Sequence, residues 1–260
     1  MTGTVHLDLD GAIGRVTLDH VDKGNALTEE MMTAIADGIP DLAQRGGRVL
    51  VVRGRGKVFC GGYDLSRMPT AGRGGTAYSA GEHPLMRAVD AIERFPGPTV
   101  AALAGHAIGG GCLMASVCDL RYAVEGVKWS IPATKLGVVY PERGLRRLVA
   151  LVGLGRTLEL LLVAEPLPAG TALAWGLYNG VDPREGYDAR LEGRLEDLSR
   201  RAPLAVEGIH AAVRQAVLPA LDAPVRRIMD AMVERALDSE DVQEGLAALA
   251  QGRPPEFEGR

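Results

Sequence analysis

Two glycine-rich turns are the places in this chain where chemistry could be done: "GRGKVFCGGYDL" (54–65) and "GHAIGGGCLMASVCD" (105–119). Each follows an apolar run suited to a buried strand, and each opens onto a stretch expected to be helical. A glycine inside a helix costs roughly 1 kcal/mol against alanine, so glycines gathered at a first turn call for a reason. Without a Cβ, a ligand atom can approach the backbone. The free N–H groups of a helix's first turn, aided by its dipole, are good donors to a negative oxygen. Two such groups converging on one point would form an oxyanion hole, each donor worth about 3–4 kcal/mol to a transition state. No Gly-Lys-Ser/Thr follows either turn, so neither is a Walker loop, and GHAIGGG does not match the dinucleotide pattern. Taken singly, each turn reads as a tight packing contact.

The elements that must carry these turns can be read from periodicity. "TVHLDLDGAIGRVTLD" alternates apolar residues around Asp10–Gly11, which predicts a hairpin. A helix is expected from about Thr28, with Met31, Ile35 and Leu42 on one face. "RVLVVRG" (48–54) and "TVAALAG" (99–105) suit buried parallel strands. A helix over 84–94 precedes the second of these, and "CDLRYAV" (118–124) is a further strand. Strand, glycine turn and helix recur, which predicts an α/β architecture built from ββα turns. Past residue 185 the strand-like runs stop and Glu, Arg, Leu and Ala dominate. The expected organisation is a core over 1–185 and a helical region over 186–260, whose apolar faces must pack on the core or on a neighbouring subunit.

Composition excludes several classes. The 260 residues are 47% hydrophobic and 24% charged, as in an ordinary soluble globular protein. A net charge of −4 argues against a nucleic-acid surface. Short basic clusters (Arg53–Arg55–Lys57 and Arg143–Arg146–Arg147) could serve one phosphorylated small molecule or be solvated surface. Cys60, Cys112 and Cys118 are odd in number and lack metal-ligand spacing, so they read as reduced thiols. The five histidines form no ligand cluster, and no metal is expected. The most apolar stretch, 148–167, is interrupted by Arg156 and Glu159, so no membrane span is expected. The expected location is the cytoplasm.

Taken together the two turns are specific. "VRGRGKVFCGGYDL" followed by "PTVAALAGHAIGGGCLMASVCDLRYA" resembles the enoyl-CoA hydratase/isomerase (crotonase) superfamily. The resemblance extends to "DKGNAL" (22–27), to "LGVV" after "IPATK", and to "SEDVQEGLAAL…RPPEF". It implies a spiral of repeated ββα turns with a C-terminal helical region used in trimer contacts, as a homotrimer or dimer of trimers. It also implies an acyl-CoA thioester substrate, with coenzyme A entering as part of the substrate and no separate cofactor. The thioester carbonyl would be held by the backbone N–H groups of Gly61 and Gly110. Lys23 would lie near phosphate, Ala26 at the adenine or pantetheine wall, and Asp64 with Leu65 at the adenine pocket. Lys23 could equally be a surface lysine, and Asp64 a helix N-cap.

The chain also departs from the family pattern. The two glutamates with which a hydratase of this family holds and deprotonates water are replaced by Leu113 in "GGGCL" and Ala133 in "IPATKLG". Each positioned acid or base contributes about 10²–10⁴-fold, so hydration by the two-glutamate route is not expected. Glu142 falls one residue beyond the place where dienoyl-CoA isomerases and aryl-CoA dehalogenases of the family carry a catalytic aspartate. It could equally be a turn carboxylate paired with a nearby arginine. Tyr140 and Tyr63 match positions where acyl-CoA decarboxylases of the family put a tyrosine and a histidine. A tyrosine, with an ordinary pKa of about 10, suits polarising a carboxylate or protonating an enolate better than activating water. Tyr140 could also be a core aromatic. The expected activity is that of the enoyl-CoA hydratase/isomerase family, acting on an acyl-CoA through a stabilised enolate. The alternatives are a malonyl-type decarboxylase and a non-catalytic acyl-CoA binding module.

Overall fold

The computed structural model describes residues 3–64, 83–217 and 223–259. The chain opens with the expected hairpin, β1 (Thr4–Asp10) and β2 (Ile13–Asp19), paired antiparallel about Gly11. Helix α1 (Glu29–Gln44) is capped by Thr28, whose side chain accepts from the Met31 N–H. Met31, Met32, Ile35, Ile39 and Leu42 form its buried stripe, each contributing about 1.5–3 kcal/mol on burial.

The spiral follows. Strand β3 (Val49–Gly54) leads to β4 (Val58–Cys60) and, beyond the first glycine turn, to α2 (Pro84–Glu93). The pattern repeats as β5 (Thr99–Leu103), β6 (His106–Ile108) and α3 (Gly110–Val117). It repeats again as β7 (Leu120–Val124), β8 (Lys128–Ser130) and α4 (Glu142–Leu158). The chain continues through β9 (Leu167–Pro168), α5 (Ala169–Ala174) and β10 (Gly180–Asp182). The first strand of each repeat joins a six-stranded sheet of order β1-β2-β3-β5-β7-β10, and the second joins a four-stranded sheet of order β4-β6-β8-β9. Apart from the β1–β2 and β8–β9 pairs, neighbours run parallel. Strand β5 is buried at every position and β3 at all but Arg53, which is why both read as largely apolar runs.

The remainder is helical: α6 (Tyr187–Ser199), α7 (Pro203–Val217), α8 (Ala223–Leu237) and α9 (Glu240–Gln251). Helix α6 buries Tyr187, Leu191 and Leu195 in the main core. Helix α7 has no buried residue, and Leu204, Ile209, Val213 and Val217 stand exposed on it. It is tied to the core by charge: Arg214 and His210 both reach the Asp119 carboxylate, at 2.7 and 2.9 Å. Burial opposes that charge, but the hydrogen bond from His210 and the charge of Arg214 outweigh it and hold the carboxyl far below its usual range. No helix among the described residues is long and apolar enough to cross a membrane.

Candidate active site

The two glycine turns meet. Gly62 has φ +92°, and a Cβ on it would stand 2.9 Å from the Ile108 oxygen and 3.2 Å from the Gly110 nitrogen. Only glycine fits there, because the backbones of the two turns lie against each other. Gly111 faces the other way, and a Cβ on it would stand 2.7 Å from the Cys60 Cβ. Helix α3 therefore starts hard against the end of β4, with Gly110 between the two packed glycines.

Gly110 is the first residue of α3, and its N–H is among those that a helix leaves without an internal partner. The neighbouring turn is pinned by a short ladder. Leu27 N–H donates to Gly62 O at 2.7 Å and Asp64 N–H donates to Leu27 O at 3.1 Å, so Tyr63 pairs with Leu27 as an isolated parallel bridge. In that geometry the N–H of Tyr63 points away from Leu27. The Tyr63 nitrogen lies 3.6 Å from where a Cβ on Gly110 would be.

Holding this ladder in place is a residue the sequence did not single out. Asn25, fully buried at φ +56°, accepts from the His20 N–H at 2.8 Å and donates to Arg55 O and Val58 O at 2.8 and 2.6 Å. Asparagine tolerates the left-handed region better than most residues, and its amide staples the 20–27 loop to the strand before Gly61. An asparagine beside a glycine in "KGNAL" was the available signal.

Gly110, Gly109, Gly61, Gly62 and Tyr63 border a cavity of about 140 Å³. Its other described walls include Leu85, Ile108, Leu113, Ala133, Leu136 and Tyr140. Leu113 is fully buried and Ala133 nearly so. Among the described residues, no charged side chain lines this chamber, and the tyrosine hydroxyls are its only polar side-chain groups. The Tyr140 hydroxyl donates to Gly109 O at 3.1 Å, which sets its ring across the start of α3. His83 caps α2, its Nδ1 accepting from the Leu85 N–H at 3.2 Å. Its ring centre lies 5.8 Å from that of Tyr63. Burial lowers the His83 pKa to about 4, so the imidazole is neutral near pH 7.

Two expectations are corrected. Gly61 sits on the chamber wall, but its N–H is given to Gly24 O at 2.9 Å. That donor is spent on the loop staple, and the amide set beside Gly110 belongs to Tyr63. Glu142, the first residue of α4, does not line the chamber. It lies in a separate cleft with Glu93, Arg143, Arg146, Arg147 and Arg214, paired to Arg146 at 3.2 Å. The first turn of α4 rotates it away from Tyr140 and Pro141, which do face the chamber. Lys23 is exposed, Ala26 half-buried and Asp64 buried, whereas Leu65 lies outside the described residues.

The three cysteines are buried and unbridged. Burial pushes the thiols of Cys60 and Cys118 up to about 12, so they are packed as neutral groups. Among the described residues, no group of three His, Cys, Asp or Glu side chains could hold a metal ion.

Comparison with known proteins places the chain in a family. The family model Enoyl-CoA hydratase/isomerase matches residues 8–260. The chain is 31% identical to the "Probable enoyl-CoA hydratase echA6" of Mycobacterium tuberculosis (strain CDC 1551 / Oshkosh), over 95% of this chain and 96% of that one. It is 29% identical to the "Methylmalonyl-CoA decarboxylase" of Escherichia coli (strain K12), over 91% of each. Among solved structures it is similar to "Methylmalonyl-CoA decarboxylase in complex with 2-nitronate-propionyl-CoA", with a TM-score of 0.89 and 27% identity over 99% of both chains.

Proposed function

The chain belongs to the enoyl-CoA hydratase/isomerase family, and from that premise we propose that it decarboxylates a malonyl-type acyl-CoA thioester held at the amides of Gly110 and Tyr63. The observation that carries this reading is the chamber itself: backbone donors and tyrosine hydroxyls, with Leu113 and Ala133 where a water-activating enzyme of the family needs carboxylates. Hydration and double-bond isomerisation both move protons through a base, and no carboxylate side chain lines the described chamber. Decarboxylation needs none. The bond from the α-carbon to the carboxylate breaks, and its electron pair passes into the thioester carbonyl. Carbon dioxide leaves neutral, and the oxygen that gains charge sits between two N–H donors. The enolate then takes a proton at the α-carbon; Tyr140 is the hydroxyl we assign to that delivery, and its phenolate regains a proton from water once product leaves. Burying the substrate carboxylate among apolar walls favours the step that removes its charge. Similarity to the methylmalonyl-CoA decarboxylase structure supports the same reading.

A second reading keeps the binding and drops the chemistry, because an apolar chamber with two amides would also hold an acyl-CoA unchanged. Incubation with a panel of malonyl- and enoyl-type thioesters, followed by mass spectrometry, separates them. Loss of 44 mass units from malonyl-type esters alone is the expected result. Binding of all with turnover of none would leave the holding function. The exposed apolar residues of α7 support self-association, which we propose to be a homotrimer or a dimer of trimers. A stable monomer in sedimentation at micromolar concentration would overturn that.

A further inference from the structure

The chamber takes part of its wall from the far end of the chain: Val233 and Leu237 of α8 and Leu246 of α9 line it beside Leu136 and Val138. This wall is latched in place. A Cβ on Gly245 would stand 2.7 Å from the Leu136 oxygen, so the α9 backbone lies directly on the turn that carries Ala133. Val233 and Val242 are buried on either side of the α8–α9 junction. The chamber's volume, about 140 Å³, is close to the ~150 Å³ of an apolar cavity that takes up one benzene, a molecule of six carbons.

We propose that Val233, Leu237 and Leu246 set the length of the acyl group, admitting about six carbons with an uncharged far end. The inference rests on the acyl-CoA reading above and names the substrate class within it. With the carbonyl oxygen at Gly110 and Tyr63, the described walls offer the acyl tail the apolar remainder of the chamber. Each methylene that finds room there gains about fourfold in affinity. The first that does not must displace one of the three side chains or stay in water. Unlike the reacting carboxylate on the α-carbon, which is lost as carbon dioxide, a carboxylate at the far end of the tail would lose its hydration with no described charged partner to replace it.

The test is calorimetric titration of the full chain with unreactive saturated acyl-CoA esters of two, four, six, eight and ten carbons. Affinity is expected to rise about fourfold per methylene up to six carbons and to fall at least tenfold by ten. A six-carbon ester ending in a carboxylate is expected to bind at least tenfold more weakly than its uncharged counterpart. Val233→Ala combined with Leu246→Ala should move the break to longer chains. Leu237→Phe, at a half-buried position where a larger ring needs no core rearrangement, should move it to shorter ones and keeps the question open to test if the double variant misfolds. Equal affinity from two to ten carbons, or a break that neither variant moves, overturns the length assignment alone. Failure of every ester to bind overturns the acyl-CoA reading itself, and this inference with it.

Discussion

The turn from Tyr140 to Glu142 separates two cavities of opposite character. On one side, Tyr140 and Pro141 face a chamber with no charged side chain among its described walls. On the other, Glu142 opens a cleft with four arginines. The cleft's arginines are already paired: Arg143 reaches Asp90 and Glu93, Arg147 reaches Glu93, Arg146 reaches Glu142, and Arg214 reaches Asp119. Its charges tie α2, α4 and α7 to the core. Among its described walls the chamber keeps only fixed backbone dipoles and phenols, which retain their strength where counter-charges are scarce. A dense cluster of ionisable residues therefore belongs to the scaffold here, and the described walls of the candidate site have none.

The sharpest way to break this contrast is to ask the chamber for chemistry it lacks. Hydration of crotonyl-CoA should fall at least ~10⁴-fold below that of a relative with both glutamates, the product of two missing acid/base contributions. A spectrophotometric assay of brisk hydration would refute the assignment. Next in size is the backbone donor. Gly110→Pro places proline at the first helical position, which tolerates it, while deleting one N–H. Turnover should drop by about 10²–10³ with thioester binding still measurable. Gly110→Ala keeps the N–H, and its methyl group would meet Leu85 at 3.4 Å, an ordinary contact, so it should retain most of the activity. Tyr140→Phe comes third, with a loss of about tenfold in kcat and little change in binding.

A fourth prediction concerns pH. The His83 pKa lies near 4 when folded, against about 6.5 when unfolded. Between those values the unfolded chain holds a proton that the folded chain does not. The His83 contribution to stability is therefore complete above pH 6.5 and is lost as pH falls toward 4, by up to about 1.4 kcal/mol per pH unit. His83→Asn, which keeps an acceptor at the helix cap, should flatten that slope in urea titrations. The smallest effect belongs to the cleft. Glu142→Gln should alter turnover less than twofold and stability by less than about 1 kcal/mol, as expected for a helical i,i+4 pair. A tenfold fall in kcat would return Glu142 to the chemistry.

The hairpin, the helix after Thr28, the buried strands β3, β5 and β7 and the C-terminal helices were legible because each carries a long apolar pattern. The strands β4, β6 and β8 were not, having only three residues each, too few for alternation to register. That the two glycine turns meet was legible from their type and from family resemblance. Which amide faces the chamber was not, because the Gly61 N–H is claimed by Gly24, a partner 37 positions away that no local spacing reveals. Glu142 misled for a related reason: one residue on a helix turns a side chain by about 100°, enough to carry it from chamber to cleft. Asn25 passed unnoticed because its role depends on contacts made 30 and 33 positions away.

The participation of α8 and α9 in the chamber wall sets an order of events during synthesis. The sheets and the glycine turns are complete by Asp182, yet Leu246 must emerge before the described chamber wall is whole. A nascent chain halted before α9 would carry the donors of Gly110 and Tyr63 over a solvent-filled trough, able to meet a thioester but not to keep water from it. The full described wall of the chamber therefore arrives late, with the docking of the last helix on the Leu136 turn.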